Sequence, residues 1–213
     1  MAQVRIPAPL DPHVHLRGMD WSHKATFASE TAAAVAGGYW AVFDMPNTPP
    51  WTSDRAALDR KLQELGAEAH CDWGVFFCAS AAGNWDEYPA IYDDVCGVKM
   101  FNNATTGNLL VADPATRAGH YAHWPQGKVF ANHAEDDTAA QIVDLVREYR
   151  KPTHILHVST AREVAIVRQA KEEGLPVTCG VCPHHLWITE DDLPTLRGYG
   201  LMKPTLKTKA DQN

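Results

Sequence analysis

Two histidines stand one residue apart in Asp11-Pro12-His13-Val14-His15-Leu16-Arg17, a spacing with a chemical meaning. Side chains alternate across a strand, so His13 and His15 share one face while Val14 takes the other. Two neutral imidazoles aimed into one space suit a transition metal, zinc above all. Arg17 lies two residues further along the same face, where a guanidinium can grip a carboxylate with two parallel hydrogen bonds. Two polar residues bonded to water at a strand end would read the same way, and most arginines are exposed. The rest of the chain must decide.

Residues of the same types recur late in other apolar runs. Asp44 and Asn47 stand in "DMPNTPP", Lys99 lies inside "CGVKMF", His133 ends "KVFANH", His157 lies late in "THILHVS", and His184 and His185 stand in "CPHHL". A lone strand histidine is more often a hydrogen-bonded rim residue than a ligand. Histidines 13, 15, 133 and 157 come from three strands, and burying them together unpaired is costly. One or two bound metal ions would satisfy them. Lys99 is odder, because an ammonium inside an apolar strand needs a partner and cannot ligate a metal. Its neutral amine can take up carbon dioxide and become a carbamate, an anion able to bridge two cations. Two divalent ions about 3.5–4 Å apart activate a hydroxide and polarise a carbonyl, which is the apparatus of amide hydrolysis. Asn47, in a turn flanked by prolines, can add a hydrogen bond to a substrate held by Arg17.

The elements that must position these residues form a rhythm. Strand candidates cover 9–16, 39–45, 72–78, 96–101, 128–133, 153–159 and 176–182. Helix-like stretches lie between them: 22–38 with Ser22 as cap, 53–66 ending at Gly66, 136–150, and 160–174. Strand and helix alternating every 25–30 residues or so imply right-handed βαβ units and a parallel sheet. No G-x-G-x-x-G follows the first strand, and seven strand candidates by residue 182 suit a closed barrel better than a doubly wound sheet. The expected fold is therefore α/β, a (β/α)₈ TIM-like barrel that lacks its eighth strand unit. Residues 1–213 read as a single domain, and as a piece of a longer enzyme or a barrel that a second chain completes. The stretch 102–127 breaks the rhythm, loop-like at its start and helical only in part.

Composition narrows the partners. The 213 residues carry a net charge of −7, with 45% hydrophobic and 21% charged residues, and show no basic block. Nucleic acid and anionic membrane are disfavoured as partners, and a small molecule is expected. No apolar run approaches the ~18 residues of a membrane span, and the first ten lack a signal peptide's apolar segment. The five cysteines read as reduced, mostly buried thiols of a cytoplasmic protein; Cys179 and Cys182 form a C-x-x-C with no second pair, which argues against a zinc knuckle.

In order along the chain, "DPHVHLR", "DMPNTPP", "GVKMF", "NHAEDD", "HILHVSTARE" and "CPHHLWITEDDL" resemble the successive signatures of dihydroorotases in the amidohydrolase superfamily. The resemblance implies a barrel with a binuclear zinc centre. It implies reversible cyclisation of N-carbamoyl-L-aspartate to dihydroorotate in pyrimidine biosynthesis. By that resemblance His13 and His15 match ligands of the more buried metal, and Lys99 matches a carbamylated bridging lysine. His133 and His157 match ligands of the second metal, and Arg17 and Asn47 match residues that bind the substrate carboxylate. Thr105 and Thr106 fall in a stretch like the loop that closes over substrate, while His184 and His185 match a motif read as structural. Two features depart from the pattern. Arg17 is followed by "GMDW" instead of a Glu-Pro-Gly-like turn. The family's eighth-strand aspartate, in a motif like "TDHAPH", and the substrate-contacting histidine after it have no counterpart before Asn213. Loss of such a proton carrier is commonly worth ~10²–10⁴-fold in rate. The alternatives are another cyclic amidase, of the hydantoinase or allantoinase kind, or a non-catalytic dihydroorotase-like subunit supporting aspartate transcarbamoylase. A homo-oligomer, or association with that transcarbamoylase, is the corresponding expectation about protein partners.

Overall fold

The computed structural model describes residues 5–105 and 107–213. Chain contacts divide it into two compact units, Met1–Cys78 with Ala90–Cys96, and Ala79–Pro89 with Gly97–Asn213.

The first unit holds strands β1 (Leu10–Val14), β2 (Ala41–Asp44) and β3 (Asp72–Cys78), paired in parallel in that order. Helix α1 (Phe27–Ala36) links β1 to β2, and α2 (Arg55–Glu68) links β2 to β3. The last four residues of β3, Val75 to Cys78, are all buried, as expected of a parallel strand covered on both faces. A short helix, α3 (Tyr88–Ile91), follows β3.

The second unit pairs β4 (Gly97–Phe101), β5 (Val129–His133), β6 (Thr153–Ile155) and β7 (Val177–Cys179), again in parallel and in chain order. Helices α4 (Pro114–His123), α5 (Asp137–Tyr149) and α6 (Ala161–Glu172) connect these strands, and the five-residue α7 (Pro183–Trp187) follows β7. All five residues of β4 are buried, so Lys99 sits in the core of this unit. Among the described residues, no helix is long and apolar enough to cross a membrane.

Several boundaries differ from those read in the sequence, for local reasons. Helix α1 starts at Phe27, not after Ser22. Thr26 caps it by accepting from Ser29 N at 3.0 Å, while Met19–Trp21 form a 3-10 turn upstream. Helix α2 continues through Gly66 to Glu68; a Cβ at Gly66 would lie 3.3 Å from the Trp73 ring, so glycine there serves packing rather than termination. Strands β6 and β7 each keep only three residues. His157 therefore lies two residues beyond its strand, in a left-handed conformation with φ 39°. Nor are the cysteines mostly buried: Cys78 is, Cys71, Cys96 and Cys182 are half-buried, and Cys179 is exposed.

Candidate metal and carboxylate site

The polar residues of the first unit gather where β1 and β2 finish. His13 is in β1 and His15 follows it, with ring centroids 5.4 Å apart. His15 Nδ1 donates to Asn47 Oδ1 at 2.7 Å. Because the amide oxygen only accepts, that bond places the ring proton on Nδ1 and makes Nε2 the unprotonated nitrogen of the ring. Metal-binding histidines are usually oriented in this way, by a partner on the far nitrogen. Asn47 is thus engaged with His15 in this structure, a positioning role beyond the substrate contact expected of it.

Beneath the pair lies an ion pair that the sequence did not announce. Lys61 Nζ is 2.5 Å from Asp44 Oδ2 and donates to Met45 O at 2.9 Å, and both side chains are fully buried. The other Asp44 oxygen accepts from Leu16 N at 2.8 Å, tying the segment after His15 to the end of β2. Lys61 falls on the same helical face as Leu58 and Leu65, the buried stripe of α2, and that position was the available signal.

Arg17 follows, with φ 64°, and Gly18 and Met19 also have positive φ, at 60° and 45°. Three successive left-handed residues, two of them not glycine, make a strained turn of the kind that collects at binding sites. Gly18 is required there, since a Cβ would stand 2.6 Å from the Phe27 ring. Arg17 Nη1 is buried and makes no hydrogen bond, while the guanidinium carbon lies 5.5 Å from the centre of the Trp21 ring. Burial pulls the guanidinium below its usual pKa, against the opposing charges of Asp44 and Glu30. A buried donor without an acceptor is costly, and a ligand carboxylate would supply that acceptor.

In the second unit, His133 Nδ1 and His157 Nε2 are 2.9 Å apart. The Glu135 carboxylate accepts from His133 Nε2 at 3.0 Å, so Nδ1 of that ring is the acceptor and His157 the donor. Two imidazole nitrogens this close are within a few tenths of an ångström of the ~3.3 Å edge of a zinc tetrahedron, and Glu135 supplies the carboxylate behind one of them. Burial lowers the His133 pKa, with the Glu135 hydrogen bond opposing it and the Lys99 charge adding to it. Glu135 itself is held below the usual carboxylate range, chiefly by its hydrogen bond with His133. Both rings and Lys99 are buried. Lys99 Nζ donates to Met100 O at 3.1 Å and stands 3.8 Å over the Phe101 ring.

Glu163 places His157. Its carboxylate accepts from Ser159 N at 2.6 Å, Thr160 N at 3.3 Å and Asp136 N at 3.0 Å. It thereby completes the capping box of α6 and pins the turn after His157. The stretch after β4 is anchored at its base. Asn103 Oδ1 accepts from Glu135 N at 2.9 Å and from Thr138 Oγ1 at 2.6 Å, and Phe101 bridges Leu110. Thr105 is half-buried; Thr106 lies outside the described residues. His184 and His185 stand together on α7 with ring centroids 4.3 Å apart.

Comparison with known proteins adds to this geometry. No family model matches the chain. It is 41% identical over 213 residues to the multifunctional protein CAD of Squalus acanthias, an alignment covering 99% of this chain and 9% of that protein. Proteins named dihydroorotase, from organisms as different as Deinococcus radiodurans and Pyrococcus furiosus, are 30–31% identical and match 96–99% of this chain. The chain spans 51–56% of the length of those two dihydroorotases. Among solved structures, the L-hydantoinase (dihydropyrimidinase) of Arthrobacter aurescens superposes with a TM-score of 0.90 at 22% identity, over 97% of this chain and 53% of its own. An inactive dihydroorotase-like domain of the CAD-like multifunctional protein of Chaetomium thermophilum superposes with a TM-score of 0.80 at 22% identity, over 97% and 59%. These likenesses establish the fold: a parallel α/β barrel like that of these structures, with seven strands among the described residues. The resemblance to dihydroorotases read from the motifs extends along the whole chain.

Proposed function

We propose that this chain, similar to the dihydroorotases from end to end, is the metal-binding and substrate-binding part of a zinc-dependent cyclic amidohydrolase acting on N-carbamoyl-L-aspartate and dihydroorotate. The observation that carries the choice of substrate is Arg17, a half-buried guanidinium whose Nη1 is sealed from solvent and unsatisfied, in the turn that follows the His13–His15 pair. A carboxylate beside the ring amide of dihydroorotate matches that donor; a plain hydantoin carries none.

Within this reading each residue has a defined task. His13 and His15 hold one ion, with Asn47 fixing the His15 tautomer. His133 and His157 hold another, with Glu135 behind His133. Lys99, as its carbamate, supplies the anionic oxygens that divalent ions among neutral imidazoles require. When bound, zinc supplies Lewis acidity toward an amide carbonyl and toward water. Arg17 orients the substrate carboxylate, and Thr105 belongs to the stretch that shields it. A cytoplasmic place beside other enzymes of pyrimidine synthesis, aspartate transcarbamoylase among them, belongs to this reading, and the likeness to multifunctional proteins supports association with other enzymes.

Binding is the sharper test, because it uses the arginine and not the proton carrier that these 213 residues lack. Calorimetry on the zinc-loaded chain should show binding of N-carbamoyl-L-aspartate and dihydroorotate but not of unsubstituted hydantoin. Arg17→Ala should weaken the carboxylate ligands by roughly 2–5 kcal/mol, the scale for truncating one partner of a buried charge pair. Equal binding of hydantoin, or an unaffected Arg17→Ala variant, would transfer the reading to another cyclic amidase. Zinc uptake without either ligand binding would leave a dihydroorotase-like subunit that does no chemistry.

A further inference from the structure

The turn that opens α7 carries a second set of metal-type side chains, to which the reading above gives no task. Cys182 is the residue before the helix, Pro183 occupies its first position, and His184 and His185 follow. His185 N donates to Cys182 O at 3.0 Å, closing a turn that brings positions 182 and 185 onto one side. One ligand atom from each of Cys182, His184 and His185 lies within 4.8 Å of the other two. A tetrahedral zinc site with its usual bond lengths needs these separations to be about 3.3–3.8 Å, a difference that side-chain rotation spans.

His185 supplies the independent observation. Its ring is only 7% exposed, and both ring nitrogens are sealed from solvent without a hydrogen bond of good geometry, although the backbone of Pro204 and Thr205 lies close. Buried polar groups in folded proteins are nearly always satisfied, so an imidazole held this way calls for a partner. Burial also keeps both rings in the neutral form that binds metals. Cys182, by contrast, is half-buried and so within reach of an incoming ion.

We propose that Cys182, His184 and His185 form a zinc site of one thiolate and two imidazoles, with its fourth position open to water. Binding displaces the thiol proton to solvent and leaves the metal's oxidation state unchanged, so the step balances without a redox partner. Three ligands within four residues would staple a five-residue helix that is too short to persist on its own and whose Leu186 and Trp187 are 53% and 83% exposed. The site uses a thiolate, which neither histidine pair of the proposed catalytic centre offers. That difference separates the two readings spectroscopically.

The test is cobalt(II) titration of the chelator-stripped chain, followed by absorption. Cobalt bound by imidazole and carbamate alone gives no thiolate charge-transfer band in the near ultraviolet; cobalt at Cys182 gives one. The band should appear with about one equivalent at this site, vanish in Cys182→Ser, weaken in His185→Ala, and persist in Cys179→Ser and in His13→Ala. Absence of the band at saturating cobalt overturns the proposal, as does its survival in Cys182→Ser. In the unaltered protein, added zinc should slow alkylation of Cys182 by about tenfold or more, read by peptide mass, because the thiolate is then engaged. An unchanged alkylation rate would equally sink it. If the histidine pairs bind cobalt and no band forms, this inference fails alone. If the band forms and Arg17→Ala leaves ligand binding untouched, the proposed function fails alone.

Discussion

The two histidine pairs are held in place in contrasting ways. His13 and His15 belong to one short segment, and their support comes from below and from the side: a fully buried Asp44–Lys61 ion pair and the Asn47 amide. His133 and His157 lie 24 residues apart at the ends of different strands, bond to each other, and are steadied by two carboxylates. Both arrangements point imidazole nitrogens in a set direction. The first depends on a charge that only another buried charge neutralises; the second depends on carboxylates receiving mostly neutral N–H groups. Their sensitivity to mutation should differ accordingly.

The largest effect is expected at Asp44. Asp44→Ala leaves Lys61 buried and uncompensated, and such a break typically destabilises by about 3–5 kcal/mol, readable as a shifted urea midpoint. Replacing both residues by apolar ones of similar size should recover much of that loss, since the cost comes from the orphaned charge. A single Asp44→Ala variant as stable as the parent would show that water reaches Lys61. The counterpart in the second unit is Glu163→Ala, which strands the N–H groups of Asp136, Ser159 and Thr160. About 1.5–3 kcal/mol is expected, less than at Asp44 because no ion is left behind. Hydrogen exchange should then speed up at 157–163 in particular. If Glu163→Ala proved costlier than Asp44→Ala, the contrast drawn above would be reversed.

The same contrast explains what the sequence made legible. The H-x-H pair shows itself because strand alternation alone puts positions 13 and 15 on one face, and Lys99 shows itself because a lysine interrupts an apolar run. Helix α6 showed itself as the stretch 160–174, and the structure adds that Thr160-x-x-Glu163 caps it, a spacing with a local mechanism. Features that depend on contacts between distant residues were not legible. His157 takes a left-handed conformation because Leu156 N bonds to Asn132 O on one side and Val158 N to Gly180 O on the other. The partner of Asp44 is 17 positions away on a helix; the place of Lys61 on the buried stripe of α2 hints at burial, but nothing local names Asp44 as its partner. The strained turn at Arg17–Met19 was hidden too, since neither arginine nor methionine advertises a positive φ.

Metal affinity offers an intermediate measurement. Asn47→Ala frees the His15 ring to rotate and change tautomer, and Glu135→Ala does the same for His133. Removing a partner behind a ligating histidine commonly weakens metal binding by about 10–100-fold. Each variant should therefore lose affinity for one zinc ion and keep the other, as measured by competition with a chromophoric chelator. Loss of both ions from either variant would mean that the two pairs do not bind independently. No change in either would remove the second pair's carboxylate from any metal role.

The smallest effect concerns acid, and it is sought in the second unit. His120, His133, His154, His184 and His185 each have a lowered pKa with burial as the leading cause, and these five lie in the second unit. His120 tests the effect away from any proposed ligand: it bonds Tyr88 Oη at 2.6 Å and Ser80 O at 2.8 Å, deep in the core. A histidine whose folded pKa lies below its unfolded value of about 6.5 takes up its proton more readily in the unfolded chain. Its contribution to stability is thus complete above about pH 6.5 and is lost as pH falls toward and through the folded value. Stability should fall from neutral pH toward pH ~5, by at most about 1.4 kcal/mol per pH unit for each such histidine. His120→Gln keeps a polar side chain but no titrating ring, so it should lower stability at neutral pH and flatten the slope by up to that amount. Exchange measured at pH ~5 should open the second unit before the first. A His120→Gln variant with the parent's slope would show that the buried ring is not among the groups that set acid sensitivity. First opening in residues 5–78 would place that sensitivity in the first unit instead.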